Sequence, residues 1–396
     1  MVQEPAQASK QERGGRYRGI PGGLDRLVQQ ADERGLRDMF IVDTDCHIQE
    51  PYELFVQTLP SEYKKMLKWT DEEADPLLAK QKNIFTKGAS YGHRVRRPEV
   101  TFPRPQTAED IIDEFAVRML DLGIKRTIII PNMIVRLPLD PRPPKFEAEV
   151  ARAYIDFMIE NFLDKYPEIK AALYIPVKDP TLGAELIDDV GSEKGIIGAL
   201  LSVLTKTRPG NDDWNPIYEA AQRKNLPIIM QGDAIHEDEK GWLFGDFERL
   251  LPLHILSFPL LLARSIMSVV LDAVPERFPR LKFVFMEGGI TYIPWLMQRM
   301  DDDYVKRSYE APGLKKLPSE YMNDFYYTTQ PLESAHRNVL QSFFNMFDAE
   351  NRLLYASDYP HWDFDTPSVI YDLPFLSGET KAKILGGNAK DVFRIS

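Results

Sequence analysis

The chain has 396 residues, 49 Lys and Arg against 60 Asp and Glu, a formal net charge of −11, and 43% hydrophobic residues. That balance repels nucleic acid and anionic membranes and supplies a substantial core, so neither of those partners is expected. The single cysteine, Cys46, excludes an intramolecular disulfide and a thiolate zinc cluster, and it fits a reducing compartment.

Residues 1–20 are polar, without periodicity and without the apolar core of a signal peptide, so the expected location is the cytoplasm. Leu24, Leu27, Val28 and Ala31 have the spacing of a short amphipathic helix, which makes residues 1–38 an N-terminal extension. Eight apolar runs follow: Met39 to Val42, Thr127 to Ile130, Ala171 to Val177, Ala199 to Val203, Pro227 to Met230, Leu281 to Met286, Phe325 to Thr329 and Leu353 to Ala356. Between them lie stretches of helical spacing, among them Ile111 to Leu122, Val150 to Leu163, Trp214 to Arg223 and Val339 to Phe347. Leu250 to Val274 is the most apolar stretch. Pro252, His254, Pro259 and Arg264 interrupt it, so it reads as a buried helix rather than a membrane span.

Runs rich in Ile, Val and Phe without polar alternation are strands buried on both faces. Eight of them alternating with helices predict an α/β protein, a (β/α)8 TIM barrel over residues 39–396. The rival is an open doubly wound sheet. Residues 50–105 break the rhythm and read as an insertion after strand one. Ala234 to Pro252, with Trp242 and Phe244, reads as a long loop of the kind that forms lids.

A parallel barrel gathers its active site at the C-terminal ends of the strands. The polar residues there are Asp45 and His47 after strand one, Asn132 after two, Gln231 and Asp233 after five, Glu287 after six, Gln330 after seven, and Asp358 with His361 after eight. Carboxylates and imidazoles in a ring suit a divalent cation. Asp45 and His47, two apart in extended chain, share a face and can grip one ion, while Asp43 on the same face is a candidate support. Glu287 precedes Gly288 and Gly289, which would let backbone approach a ligand. His254, opening an apolar helix, is a candidate acid or base. Trp242, Phe244, Arg96 and His361 are candidates for substrate contact.

Three segments resemble the amidohydrolase-related family, the branch with aminocarboxymuconate-semialdehyde decarboxylase and the aromatic-acid decarboxylases. They are Phe283-Val284-Phe285-Met286-Glu287-Gly288-Gly289 running to Asp301, Tyr327-Thr328-Thr329-Gln330-Pro331, and Ser357-Asp358-Tyr359-Pro360-His361-Trp362. The resemblance implies one catalytic divalent metal, with Asp45, His47 and Asp358 as ligands and Asp358 also handling the proton. The family's strand-five histidine ligand falls on Gln231, and its strand-six histidine on Glu287. An oxygen-rich set shifts preference from Zn2+ towards Mn2+, with Fe2+ and Mg2+ as further candidates. Glu287, His254 or His361 would replace the missing acid/base group.

The resulting expectation is a metal-dependent decarboxylase of a small cyclic or unsaturated carboxylic acid. The alternatives are a hydrolase of an amide, lactone or ester, and a non-catalytic binding barrel. The apolar stretches Ile255 to Val270 and Ile293 to Met300 are candidates for a homodimer interface.

Overall fold

Eight runs of Ile, Val, Leu and Phe become eight parallel strands, because only a core covered on both faces accepts such runs. The computed structural model describes residues 23–48, 58–68, 107–109, 111–112, 122–132, 134–233, 250–359, 361 and 363–396. The strands are β1 (Ile41–Ile48), β2 (Ile124–Pro131), β3 (Ile169–Tyr174), β4 (Ile196–Ser202), β5 (Ile228–Gln231), β6 (Phe283–Met286), β7 (Tyr326–Thr328) and β8 (Leu353–Leu354). They pair in sequential order with no reversal. Three hydrogen bonds shut the remaining seam: Thr44 N to Tyr355 O (3.1 Å), His47 N to Tyr359 O (2.7 Å) and Asp358 N to Asp45 O (2.8 Å). The sheet is a closed barrel, and the open-sheet rival falls.

One boundary differs in a way that matters. The sequence ends the first strand at Val42, whereas β1 runs to Ile48 with all eight residues buried. Asp43, Asp45 and His47 therefore lie within the strand rather than after it. Their polarity hid the strand, since a barrel interior accepts polar side chains only where they bond to one another. The pairing of β1 with β2 slips by one residue between Asp43 and Cys46, a bulge beside the polar cluster.

Helices cover the barrel where helical spacing predicts them. α1 (Gly23–Glu33) sets Leu27 and Ala31 into the core, and Arg34 just beyond it bonds Asp372 at 2.8 and 2.7 Å. α2 (Pro144–Met158) passes into a wider turn over Ile159–Leu163, and α3 (Pro180–Val190) begins with Asp179 accepting from Thr181 N at 3.0 Å. α4 (Asn215–Lys224), α5 (Leu250–Leu271), α6 (Tyr292–Arg307) and α7 (Arg337–Phe344) follow. α5 is a half-buried form of the buried helix expected there. Its stretch Leu251–Leu271 is long and apolar enough to cross a membrane, but only 56% of its most apolar window is buried. A helix laid on a barrel buries one face and leaves the other bare.

Of the insertion expected at 50–105, the described part is the stretch around the helix Ser61–Lys68, which buries Tyr63. Arg96, Trp242 and Phe244 lie outside the described residues, as does most of the helix expected at Ile111 to Leu122.

Candidate metal centre

β1, β5, β6 and the segment after β8 each deliver polar side chains to one point at the barrel mouth. His47 Nδ1 faces the Ile130 carbonyl at 3.1 Å, which fixes the ring and turns Nε2 inward. That Nε2 lies 3.3 Å from Asp45 Oδ1 and 3.1 Å from Asp358 Oδ1. His361 Nδ1 meets Asp358 Oδ1 at 2.6 Å, and its ring stacks on His47 with centroids 4.4 Å apart. From β5, Gln231 Nε2 donates to Asp45 Oδ2 at 3.2 Å and to Glu287 Oε2. One ligand atom from each of Asp45, His47, Glu287 and Asp358 falls within 4.8 Å of every other, and His47, Asp358 and His361 meet the same condition.

Two carboxylates sit on unusual backbone. Glu287 has φ 63° and Asp358 φ 57°, the left-handed region that costs an ordinary residue roughly 1–2 kcal/mol. Surrounding bonds hold both in place. Glu287 N donates to Thr328 Oγ1 (2.9 Å). Asp43 accepts from Ser357 N (2.8 Å) and Ser357 Oγ (2.6 Å), gripping the residue before Asp358. Asp43 is thus the buried support that its place on the strand suggested. Strained backbone maintained by such clamps is common where a side chain must be aimed.

Packing alone requires the glycines after Glu287. A Cβ on Gly288 would strike Leu262, and one on Gly289 would sit 2.8 Å from the Glu333 carboxylate. That carboxylate accepts from Ile290 N and Thr291 N, both at 2.9 Å, at the start of α6.

Electrostatics follow from this crowding. Burial pulls the His47 imidazolium down, but Asp358 and Asp45 outweigh it and hold the group well above its ordinary value of 6.5. Burial would raise Asp358, yet His361 and His47 hold its carboxyl far below the usual range, so it is ionised. Asp363, three residues past Pro360, is pushed up to about 7 by burial and by the charge of Asp358. Asp365 is pushed up to about 6, chiefly by burial.

A divalent ion fits these residues. Gln231 Oε1 and Asp358 Oδ2 are buried with no hydrogen-bond partner, and Asp45 Oδ1 has only the His47 imidazole, 3.3 Å away. Orphaned acceptors crowded together are costly unless a cation answers them. Asp45, His47 and Asp358 are the expected ligands, and Gln231 and Glu287 stand within reach of the same point. His254 does not. It lies at the rim, with Nε2 3.4 Å from Asp363 Oδ2 and its ring against Phe258. Asp363, which Gln330 Nε2 also bonds at 3.3 Å, escaped sequence reasoning because it follows the strand-eight motif without a pattern of its own. Arg136 escaped as well. It sits in a tight turn after β2 and bonds Asp233 at 2.5 Å, both buried.

Comparison with known proteins agrees with this architecture. A gamma-resorcylate decarboxylase of Polaromonas sp. is 22% identical over 310 residues, spanning 72% of this chain and 90% of its own. The crystal structure of 5-carboxyvanillate decarboxylase from Sphingomonas paucimobilis superposes with a TM-score of 0.63 at 18% identity, covering 90% of this chain and all of that one. A dihydroxybenzoic acid decarboxylase from Polaromonas sp., with bound manganese and the inhibitor 2-nitroresorcinol, gives the same score and identity over 90% of this chain and 97% of its own. The family model described as Amidohydrolase matches residues 133–395, and with two thirds of its length so matched the chain belongs to the amidohydrolase family.

Proposed function

We propose that this protein is a metal-dependent, non-oxidative decarboxylase of a small cyclic or unsaturated carboxylic acid, with an aromatic ring as the favoured core. The observation that carries the proposal is the buried ring of Asp45, His47 and Asp358, closed by Glu287 and Gln231, with orphaned acceptors turned to one point. Relatives whose names specify decarboxylation of hydroxylated aromatic acids support the choice of reaction. A divalent ion held by Asp45, His47 and Asp358 would supply positive charge for the substrate carboxylate and a neighbouring oxygen. Mn2+ suits so oxygen-rich a set better than Zn2+.

The chain's own residues handle the proton. In decarboxylation the bond to the carboxyl carbon breaks, carbon dioxide departs, the electron pair stays on the remaining carbon, and a proton must arrive there. Asp358 is too strongly ionised to hold that proton alone, so the donor is the Asp358–His361 pair. His361 carries the proton at Nδ1, 2.6 Å from the carboxylate, and passes it to substrate with Asp358. Glu287, 3.8 Å from His361 Nδ1, is the reserve acid. His254 acts at the rim through Asp363 and does not touch the reacting atoms.

The test is incubation of Mn2+-loaded protein with a panel of hydroxylated benzoic acids, following carbon dioxide release. Turnover that disappears on chelation and returns with Mn2+ is the expected result. Cleavage of amides, esters or lactones without any carbon dioxide release would replace this reading with the hydrolase one.

We further propose a cytoplasmic homodimer. The single cysteine, itself buried, supports the reducing setting. Leu251, Ile255, Leu256, Leu260, Met267 and Leu271 on α5 and Trp295 on α6 are each 36–60% exposed. At ~150–250 Å² per large side chain this leaves roughly 600 Å² of apolar surface, near the ~800 Å² that each partner of a stable complex covers. A stripe with so little charge suits a second copy of itself across a two-fold axis.

A further inference from the structure

At the end of the barrel opposite the metal centre lies a cavity of about 270 Å³. It opens between the start of β3, the turn from α3 into β4, the turn from α4 into β5, and residues 392–396. Turns that lead from a helix into a strand lie at the N-terminal ends of the strands, so the packed barrel interior separates this cavity from the metal ligands.

Its floor is apolar, built from the buried Ile196, Leu226 and Ile395. Its walls are cationic. Lys170, Lys224 and Arg394 line it, against one side-chain carboxylate, that of Glu193. Both lysines bond neutral oxygens: Lys170 Nζ donates to Pro167 O at 2.6 Å and Lys224 Nζ to Ser192 Oγ at 3.1 Å. Arg394 makes no hydrogen bond or ion pair among the described residues. Ser396 also lines the cavity, but its oxygen already accepts the Arg126 Nε–H at 3.1 Å.

On a chain of net charge −11, such a gathering of cations without built-in counter-charge is costly. The Lys170 ammonium is held below its usual value, first by burial and then by Arg126 and Lys194, and Glu168 offsets this only in part. An anion in the cavity would relieve that crowding. Three cations against one carboxylate leave two positive charges, the complement of a dianion. The volume lies just below the ~300–1,000 Å³ of usual small-molecule sites, which suits a compact ligand.

We propose that this cavity binds a small organic dianion, a phosphate monoester or an aliphatic dicarboxylate, its charge held between Lys170, Lys224 and Arg394 and its carbon chain lying over Ile196 and Leu226. The ligand ties residues 392–396 to the starts of β3, β4 and β5. It acts on stability rather than on the reaction, since the N-terminal face of such a barrel carries stability and the opposite face chemistry.

The test is calorimetry and thermal melting of the full-length, Mn2+-loaded protein with glycerol 3-phosphate and succinate, against glycerol and acetate at matched ionic strength. One of the two dianions should bind with a Kd at or below about 1 mM, at least about tenfold more tightly than acetate, and should raise the melting temperature. Which of them binds separates phosphate from carboxylate recognition. The double variant Lys224→Gln with Arg394→Gln removes two charges that make no ion pair among the described residues, so its fold should be that of wild type. It should bind the dianion at least about tenfold more weakly, with Mn2+ affinity within about twofold of wild type. Lys170→Met, which keeps the apolar stem without the charge, should weaken dianion binding as well. Saturable binding of neither dianion would overturn the proposal, and so would binding that the double variant leaves unchanged, which would seat the dianion elsewhere.

Discussion

Metal binding should expel a proton from His47. In the metal-free protein, Asp358 and Asp45 hold that imidazolium well above 6.5, so at neutral pH its inward Nε2 carries a proton. An ion at that point needs the neutral ring. Asp358, held far below the usual carboxylate range, has no proton to lose. The expected yield is therefore about one proton per ion, and the association constant should rise about tenfold per pH unit, or ~1.4 kcal/mol, while the pH lies below the raised value of His47, and level off above it. The same shift fixes the sign for the apo protein. Stability from His47 is fully present below about pH 6.5 and is lost as pH rises through the folded value, so apo and loaded forms diverge as the solution becomes alkaline. The assay is titration of chelator-stripped protein with Mn2+ in buffers of different ionisation enthalpy. The slope of observed heat against buffer enthalpy counts the protons. A slope of zero, with affinity independent of pH from about 6 to 8, would refute the reasoning, and His47→Gln should remove the slope wherever residual binding remains measurable.

Other perturbations test neighbouring parts of the argument. Asp358→Asn, Asp358→Ala and Asp358→Gly should all lose Mn2+-induced thermal stabilisation, but in the metal-free state glycine and asparagine should be about 1 kcal/mol more stable than alanine, because φ 57° disfavours alanine; equal urea midpoints would remove the strain argument. Asp43→Ala leaves Ser357 N and Oγ without their acceptor in a buried site, and should cost about 2–4 kcal/mol in urea unfolding and weaken Mn2+ binding as well. Asp365, pushed up to about 6 from 3.8, contributes stability that is present below about pH 3.8 and lost as pH rises through about 6. Asp365→Asn should flatten that part of the stability profile by up to about 3 kcal/mol, and an unchanged profile would assign the pH dependence elsewhere. Ile255→Glu should convert a dimer of the 45.6 kDa chain to monomer in light scattering, whereas a monomeric wild type would dismiss the interface.

The sequence reveals strands well where they are purely apolar and poorly where they carry function. β5 and β6 end within a residue of expectation, while the apolar run of β1 stops at Val42 because Asp43, Asp45 and His47 read as an extended exit beyond the strand. The clustering of Asp45, His47 and Asp358 was legible through strand-end logic and the two-residue spacing of Asp45 and His47. Gln231 was legible as a polar residue at the end of strand five and as a departure from a family pattern, and its bond to Asp45 supplies the physical reason for its place. His254 was legible as a histidine opening an apolar helix, but a helix start gives no information on depth, and its place beside Asp363 was not legible. Arg136 and Asp363 depend on contacts between distant loops, Arg136 with Asp233 and Asp363 with His254, and local sequence carries no trace of such contacts.

The seam between β1 and β8 gives the site a role in folding as well as chemistry. Asp45 and His47 come from the first strand and Asp358 from just beyond the last, and Thr44 bonds Tyr355 across 311 residues of chain. An ion shared by those ligands is a reversible cross-link closing nearly the whole polypeptide into a loop. Because the ion leaves the unfolded chain, it stabilises the closed barrel by its binding free energy, about 4 kcal/mol at 1,000 times its Kd. Loss of the ion should therefore open the barrel first along this line, with amide exchange at Thr44, His47 and Asp358 accelerating ahead of that at β3 and β4.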